Sequence, residues 1–357
     1  MRCRRCVLSE KTPNIAFDQD GVCNYCHTYR KFDYKGEAEL LQRLDSFRRP
    51  DSKYDCLVGL SGGRDSSYIL LKLVRDYEMK VLAVNYENPF TVPQARLNME
   101  EAIKALGVDI VTFGDEHNMH KRVLRDTVTA WFKRPSPALI PIVCIGCKPS
   151  WVRIYGVAKR YDIHCIASGG NPFEVISFKR ELMGISRDAD PRRAFFRYIY
   201  SLREIVKNAA YFSPSVVLTL VKSYLFGNPY SIGIRLLWPG ITWLEMFNYV
   251  EWNEGEVISR IKAELGWESP AEIESTWRFD CRVKYLVDLM YMATLGMTDK
   301  DDFYAKMVRE GLMSREDALQ RLQDENRLYL DEIQLLLGQA GFRDTSFLDA
   351  LAEVAAA

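Results

Sequence analysis

Short apolar runs alternate with amphipathic stretches through the first half of the chain. Apolar runs at 56–60, 80–86, 108–113 and 164–167 are typical of buried strands. Between them, apolar residues recur at helical spacing over 68–74, 93–106, 119–132 and 150–161. Alternation of strand and helix predicts a doubly wound α/β fold with a parallel sheet.

After about residue 190 the pattern becomes mainly helical. Apolar periodicity predicts helices over 246–252, 255–265, 281–295 and 300–311, and Ser314 is placed to cap a further helix. Arg192, Arg193, Arg197 and Arg203 lie along a predicted helix over 191–210. They could hold the diphosphate of a sugar nucleotide, although a solvated helical face explains them equally well.

Composition and charge limit the classes of protein to which this chain can belong. The chain has 357 residues, 48% of them hydrophobic, and 48 basic residues balance 48 acidic ones. Nothing global therefore draws it to nucleic acid, although a local basic patch would suffice for tRNA. The N-terminus lacks an apolar signal segment, and the most apolar window, 211–226, is too short to span a membrane. We expect a cytoplasmic protein without stable membrane insertion, in which this window forms a core helix or, less readily, an interfacial one.

The sequence around Ser61 carries the first candidate chemistry. Ser61-Gly62-Gly63-Arg64-Asp65-Ser66 follows an apolar strand and precedes a helix. Free backbone N–H groups at the start of a helix favour a phosphate, and the two glycines allow its close approach. The Walker spacing and its lysine are absent, so this is a different phosphate loop. The alternative is a Ser/Gly turn that merely caps a helix.

This segment resembles the PP-loop of the ATP pyrophosphatases. The resemblance implies that the loop grips the β,γ-pyrophosphate of ATP. An oxygen of the substrate is then adenylated, pyrophosphate leaves, and a nucleophile displaces AMP. Ser61, Gly62, Gly63, Asp65 and Ser66 would hold the triphosphate, with Asp65 and Ser66 as catalytic candidates and Asp65 as a Mg2+ ligand. Asn85, at the end of the second strand, would contact the nucleotide.

A second glycine-rich turn follows the fourth predicted strand. Ser168-Gly169-Gly170-Asn171-Pro172-Phe173-Glu174 resembles the second signature of the same family. Gly169 and Gly170 would let ATP phosphate approach, Asn171 would donate to it, and Glu174 would bind Mg2+ or the substrate. A plain Gly-Asn turn is the alternative.

Four cysteines near the N-terminus have the spacing of a metal site. Cys3 and Cys6 form one CxxC pair, and Cys23 and Cys26 form another sixteen residues later. Paired knuckles of this kind predict a structural Zn2+ ribbon with four thiolate ligands. The neighbouring His27 is an alternative ligand, but a surface histidine is the simpler interpretation.

The cysteine segment followed by the PP-loop is similar to the bacterial N-acetyl sugar amidotransferases of surface-polysaccharide biosynthesis. The resemblance covers about the first ninety residues well. It implies that the protein is a transferase that converts an acetamido group of a nucleotide-linked sugar into an amidine, with ammonia as the nucleophile. The chain carries no glutaminase signature that we can identify, so ammonia would come from a separate glutaminase subunit.

A third CxxC pair departs from that family. Cys144 and Cys147 precede the helix that leads to the second glycine turn. A CxxC pair at this position resembles that of the iron–sulfur tRNA-thiolating enzymes. That resemblance implies a 4Fe-4S cluster, with Cys281 as the best candidate for the third ligand, and an alternative function in sulfur transfer to an adenylated small molecule or tRNA base. A second zinc site and an incidental pair stay open. Cys56 and Cys165 lie in predicted strands and should be core residues.

These patterns divide the chain into three parts. We predict a zinc ribbon over 1–34, an ATP-binding domain over 35–190, and a mainly helical region for substrate binding or oligomerisation over 191–357. A homodimer is compatible with this division. The acceptor is not identified by any motif in the third part.

Overall fold

A computed structural model describes residues 1–182, 202–273 and 275–356. It contains a five-stranded sheet in the order β3-β2-β1-β4-β5, and every neighbouring pair of strands is parallel. The strands are β1 (Cys56–Gly59), β2 (Val81–Glu87), β3 (Asp109–Gly114), β4 (Cys165–Ser168) and β5 (Thr242–Glu245). The predicted parallel α/β sheet, the N-terminal cysteine cluster and the helical C-terminal region are confirmed.

The helices of the α/β part follow the predicted periodicity closely. After a four-residue α-helical turn at Asn24–His27 in the ribbon, the next six α-helices are α1 (Glu37–Asp45), α2 (Arg64–Leu71), α3 (Pro93–Leu106), α4 (Met119–Lys133), α5 (Ser150–Arg160) and α6 (Ser177–Leu182). Helix α2 continues into a π-helical turn over Lys72–Asp76, and α3 has Pro93 in its first turn and the left-handed Gly107 after its end.

The later helices surround the ribbon and the open side of the site. They are α7 (Pro214–Phe226), α8 (Ile232–Leu237), α9 (Glu254–Leu265), α10 (Val283–Leu295), α11 (Asp299–Glu310), α12 (Arg315–Glu325), α13 (Leu330–Gln339) and α14 (Phe347–Ala356). Ser314 caps α12 by accepting a hydrogen bond from the Asp317 N–H, as predicted. Arg192, Arg193 and Arg197 lie outside the described residues, whereas Arg203 is exposed.

The fifth strand differs from the expected pattern. Residues 242–245 pair with Cys165–Ser168, although their own sequence gives no clear strand signal. The helix predicted over 246–252 is wrong, because Met246–Asn248 forms a single 3-10 turn and the chain then continues without a helix to Asn253. The strand is held by a partner more than seventy residues earlier, which local periodicity does not reveal.

The three inner strands β1, β2 and β4 are mostly buried, as expected for a parallel sheet covered by helices, whereas the edge strands β3 and β5 are more exposed. Cys56 and Cys165 are fully buried, in agreement with their prediction as core residues. One segment, Pro137–Arg160, is long and apolar enough to cross a membrane by length and composition, but that is weak evidence, since core helices pass the same test. It comprises a 3-10 stretch, Pro137–Cys147, followed by α5, and Leu139, Ile140 and Val143 lie in the core. Within residues 211–226, α7 is a further short apolar helix.

Candidate active site

The first glycine loop lies between β1 and α2, at the carboxyl end of the central strand. Gly62 has φ of +78°, and a Cβ there would lie 1.8 Å from the Ala95 carbonyl oxygen. Its own carbonyl accepts from Trp267 Nε1 at 3.0 Å and from Asn98 Nδ2 at 3.2 Å. Gly62 therefore has to be glycine, because both its conformation and its contact with α3 exclude a side chain.

Two serine hydroxyls close this loop on itself. Ser61 Oγ and Ser66 Oγ lie 3.2 Å apart, and the Gly63 N–H donates to Ser61 Oγ at 3.3 Å. Ser66 Oγ in turn donates to the Gly63 carbonyl at 3.1 Å. The loop is thus shaped before any ligand binds, and its hydroxyls lie at the start of α2.

The second glycine loop packs directly against the first. Strands β1 and β4 are neighbours, so the loops after them reach the same edge of the sheet. A Cβ on Gly169 would lie 2.7 Å from the Asp65 carbonyl oxygen. Gly170 is exposed, and its N–H donates to Ser168 Oγ at 3.1 Å. The structure brings the two predicted glycine turns together.

These loops enclose a cavity of about 220 Å3. Most of the residues predicted from the sequence to hold the triphosphate line it. Its polar lining residues include Ser61, Gly63, Arg64, Asp65, Ser66, Ser168, Gly169, Glu174, Arg278 and Asp280. Gly62 and Gly170 shape the loops without lining this cavity. A Cβ on Gly63 would lie 3.3 Å from Ser61 Oγ and 3.6 Å from Asp280 Cγ, both in the cavity lining, so glycine at this position leaves space for a phosphate.

Three carboxylates share this cavity: Asp65, Glu174 and Asp280. Burial raises the pKa of Asp65 to about 6, the charge of Arg64 opposes the rise, and Glu174 adds to it. Burial also raises the pKa of Asp280, against the opposing effects of Arg278 and of a hydrogen bond from Ser61. Carboxylate oxygens beside a phosphate cradle fit Mg2+, which keeps several water ligands and needs few from the protein.

Buried partners orient the carboxylates. Trp252 Nε1 donates to Asp65 Oδ1 at 3.0 Å, and Arg64 Nε lies 3.2 Å from the same oxygen. Arg64 also pairs with Glu254 and donates to Thr276 Oγ1 at 3.0 Å. Trp277 Nε1 donates to Glu174 Oε1 at 2.7 Å. Hydrogen bonds from side chains of the C-terminal half therefore fix the orientation of Asp65 and Glu174.

An apolar cavity of about 300 Å3 adjoins the first and shares Gly59, Ser61, Ser168 and Asp280 with it. Its apolar lining is formed by Leu60, Val84, Trp151, Ile154, Ile166 and Trp243. The rings of Trp151 and Trp243 meet edge to face at 5.0 Å. A flat-sided apolar cavity beside a phosphate cradle suits the base of a nucleotide.

Asn85 and Asn171 both serve local structure. Asn85 lines the apolar cavity, but its Nδ2 donates to the Leu60 carbonyl at 2.7 Å and lies 3.1 Å from Met99 Sδ. Asn171 Oδ1 accepts from the Phe173 N–H at 2.9 Å, which caps a 3-10 turn. Within the described residues, the buried Asn171 Nδ2 has no hydrogen-bond partner, so it keeps a free donor next to the second glycine loop.

Cys144, Cys147 and Cys281 converge on one neighbourhood beside the nucleotide cavity. Burial raises the pKa of Cys281 to about 12, and both Asp280 and Cys144 add to the rise. Burial also raises the pKa of Tyr86, with contributions from Cys147 and Cys281. All three thiols are half-buried. Cys281 accepts a hydrogen bond from Asn88 Nδ2 at 3.2 Å, and Cys147 donates to the Cys144 carbonyl at 3.4 Å.

The three thiols are not gathered as closely as those of the ribbon. The sulfur atoms of Cys3, Cys6, Cys23 and Cys26 all lie within 4.8 Å of one another, which fits one tetrahedral metal ion. In the part of the chain that the structure describes, this is the one set of three or more such ligands that close together. The four-cysteine site is confirmed, whereas zinc as its metal stays a prediction. His27 is exposed and pairs with Asp18 at 2.7 Å.

Several residues of the site carried no recognised signal in the sequence. Asp280 and Arg278 flank Phe279 in the segment that also holds Cys281, so a search for acidic residues near that cysteine could have found Asp280. Trp151 and Trp243 gave no signal, since isolated tryptophans are ordinary core residues.

Comparisons with known proteins give partial likenesses. No family model matches the chain. A stretch of 121 residues is 26% identical to an uncharacterised protein of Methanocaldococcus jannaschii and covers 33% of this chain and 44% of that one. The match therefore spans less than half of that relative's length.

Three solved structures share parts of the architecture. An NMN synthetase from Francisella tularensis is 14% identical, with a TM-score of 0.38, and the likeness covers 86% of this chain and 97% of that one. A U34-tRNA thiolase from Methanococcus maripaludis with its 4Fe-4S cluster is 11% identical, with a TM-score of 0.33 and coverage of 97% and 90%. An NH3-dependent NAD synthetase from Campylobacter jejuni is 11% identical, with a TM-score of 0.28 and coverage of 66% and 96%.

Proposed function

We propose that this protein is a PP-loop ATP pyrophosphatase that activates an acceptor oxygen as its adenylate. One observation carries the proposal: two glycine loops meet around a small cavity that holds serine hydroxyls and three carboxylates and opens onto an aromatic cavity. The acceptor oxygen attacks the α-phosphorus of ATP, the bond to the β-phosphate oxygen breaks, and pyrophosphate leaves. A nucleophile then attacks the activated carbon, and the carbon–oxygen bond breaks to release AMP.

The residues of the site would have separate roles in binding the phosphates, the adenine and Mg2+. Ser61, Gly63 and Ser66, with the backbone of Gly169, would hold the phosphates, while the tryptophan-lined cavity takes the adenine. One or two of Asp65, Glu174 and Asp280 would hold Mg2+ directly and the rest through its water ligands, and the ion would supply positive charge to the leaving pyrophosphate. Asn171 would donate a hydrogen bond to an ATP phosphate oxygen through its free Nδ2. Stabilisation of charge in a preorganised cavity is the main catalytic contribution of such a site.

For the second half-reaction we propose amidotransfer to the carbon of an N-acetyl or carboxyl group of a nucleotide-linked sugar, whose oxygen was adenylated and leaves with AMP. The support is the similarity of the first ninety residues to the N-acetyl sugar amidotransferases, together with a compact four-cysteine ribbon. Ammonia attacks as the free base and loses a proton to water, so the chain needs no nucleophilic side chain of its own. A separate glutaminase subunit in the cytoplasm would supply it.

Sulfur transfer is the second candidate. The observation that favours it is that Cys281 and Tyr86 line the apolar cavity, and that Tyr86 also lines a neighbouring cavity with Gly146, which lies between Cys144 and Cys147 in the chain. Three thiolates there would hold a 4Fe-4S cluster with one iron left to bind sulfide. The acceptor would then be a small molecule or a tRNA base.

Metal analysis and turnover together test these proposals. The protein would be purified without oxygen, and zinc, iron and acid-labile sulfide would be measured per chain. About one zinc without iron supports amidotransfer, whereas about four irons and four sulfides that are lost in Cys144→Ala support sulfur transfer. Pyrophosphate release would then be followed with ammonia or sulfide.

The variant Asp65→Ala tests the ATP site itself. We expect the fold to remain intact and pyrophosphate release to be abolished. Wild-type turnover in this variant would remove the PP-loop proposal. If the wild-type protein binds ATP but releases no pyrophosphate with any acceptor, it is a nucleotide-binding regulator rather than an enzyme.

A further inference from the structure

A third cavity, of about 870 Å3, lies where the ribbon meets α6 and α11. The end of the ribbon forms one wall, residues 175–180 form another, and α11 forms the floor. Its lining residues are Tyr25, His27, Thr28, Tyr29, Arg30, Val175, Ser177, Arg180, Lys306 and Arg309. A volume of this size falls in the range of small-molecule sites.

The lining is strongly basic. It includes Arg30, Arg180, Lys306 and Arg309, and none of its ten residues is acidic. Arg180, Lys306 and Arg309 are only 8%, 8% and 7% exposed. Concentrated cations with restricted access to water attract an anion more strongly than the same charges on an open surface.

Neighbouring groups balance part of this charge. Lys306 Nζ lies 3.3 Å from Oδ2 of Asp302, which does not line the cavity, and it also donates to the Val175 carbonyl. Arg309 lies over the Tyr29 ring at 5.2 Å, and its Nη2 lies 3.5 Å from Cys6 Sγ. Among the described residues, Arg30 makes no ion pair. Glu310, which accepts a hydrogen bond from the Tyr29 hydroxyl, is a further acidic neighbour, and Arg180 also interacts with neighbouring groups.

The basic cavity and the ATP site share one segment of backbone. Glu174 lines the ATP cavity, and Val175 and Ser177 line the basic one. Three residues of extended chain span at most about 10 Å, so the 175–177 wall of the basic cavity begins within that distance of the Glu174 backbone.

We propose that this basic cavity binds the phosphate groups of the acceptor, a small phosphorylated molecule such as a nucleoside-diphosphate sugar. The inference rests on the proposed function, because it assigns a site to the substrate that ATP activates. Guanidinium groups pair with phosphate oxygens in a bidentate manner, which suits Arg30. Recessed and mostly buried cations favour a small ligand over RNA, whose backbone is bound by exposed basic surfaces.

Binding of uridine diphosphate to the zinc-loaded protein tests the inference. The ATP site would first be saturated with α,β-methylene-ATP and Mg2+, so that calorimetry detects the second site alone. We expect Arg30→Ala and Lys306→Met each to weaken uridine diphosphate binding by about tenfold. Arg5→Ala, which removes an exposed ribbon arginine that does not line the cavity, is the matched control and should leave binding unchanged.

The outcomes separate this inference from the proposed function. Equal affinity for uridine diphosphate in the wild type, Arg30→Ala and Arg5→Ala overturns the basic site. Loss of tRNA binding in Arg30→Ala and Lys306→Met, with no uridine diphosphate binding in any form, overturns it in favour of RNA. Failure of the wild type to bind α,β-methylene-ATP contradicts the ATP site instead, and uridine diphosphate binding that is sensitive to Arg30 still supports the cavity.

Discussion

Asp65 shows how a single residue depends on its surroundings. The sequence marks it as a phosphate-loop acid, but its charge state is set by groups far away in the chain. Burial raises its pKa to about 6, and both Arg64 and the Trp252 indole counteract the rise. A protonated Asp65 offers Mg2+ no charge, so protonation should inactivate the site.

The pH profile of pyrophosphate release follows from this pKa. Asp65 is ionised above its pKa, so kcat/KM should fall about tenfold per unit as the pH decreases below about 6. In Trp252→Phe the ionised form of Asp65 loses the hydrogen bond from the indole. The acidic limb of the pH profile should therefore move to higher pH by about one unit.

The control for this profile is Trp238→Phe, because Trp238 packs against Tyr155 and makes no contact with Asp65 in the described residues. Its acidic limb should coincide with that of the wild type. An acidic limb that does not move in Trp252→Phe would mean that another group sets it.

At the scale of elements, the ribbon is tied to the C-terminal helices. Arg315, in the first turn of α12, donates through Nε to the carbonyls of Cys3 and Cys6 at 3.2 and 3.1 Å. Arg309 of α11 contacts Cys6 Sγ. The two knuckles thus fix the position of two helices as well as the metal.

Loss of one ribbon ligand should therefore affect more than the ribbon. We expect Cys23→Ser to lose the bound metal and to lower the free energy of unfolding by about 3 kcal/mol or more, since a structural metal site contributes directly to folding. Metal content and denaturant unfolding would be measured.

Cys147→Ser is the matched control for the ribbon variant, because Cys147 lies outside the four-cysteine cluster. It should keep its zinc and its stability. A Cys23→Ser protein that retains one zinc per chain would contradict the four-thiolate site.

The elements also show how far a local pattern predicts this fold. Strands β1 to β4 and most helices follow from periodicity, because each has a long or strongly apolar sequence of its own. Strand β5 could not be predicted, since its four residues become a strand only by pairing with β4. The four ribbon ligands could be predicted because the spacing of their two CxxC pairs is itself the signature of such a metal site.

At the scale of the whole molecule, the ATP site is built from distant segments. Ser61 and Asp65 come from the first loop and Glu174 from the second, and their spacing within motifs made them predictable. Asp280 and Trp252 come from the C-terminal half. The placement of Trp252 depends on the packing of the following helix α9 against α2, and that of Asp280 on the hydrogen bond from the Val92 N–H to its carbonyl at 3.1 Å, neither of which a short motif records.

Asp280 tests this long-range assembly. Asp280→Asn removes one of three carboxylates, and we expect pyrophosphate release to fall about 100-fold while the fold persists. The matched control is Asp331→Asn, which changes an exposed acid on α13. Equal rates in the two variants would show that Asp280 does not take part in the reaction.

The long-range assembly has a consequence for the newly made chain. When a ribosome has synthesised the first 180 residues, both glycine loops and two of the three carboxylates exist, but β5, Trp252 and Asp280 do not. A nascent chain at that stage has an incomplete site and should not consume ATP. Under the proposed function, ATP cleavage would begin only after the segments that carry β5, Trp252 and Asp280 have been made and have folded against the two loops.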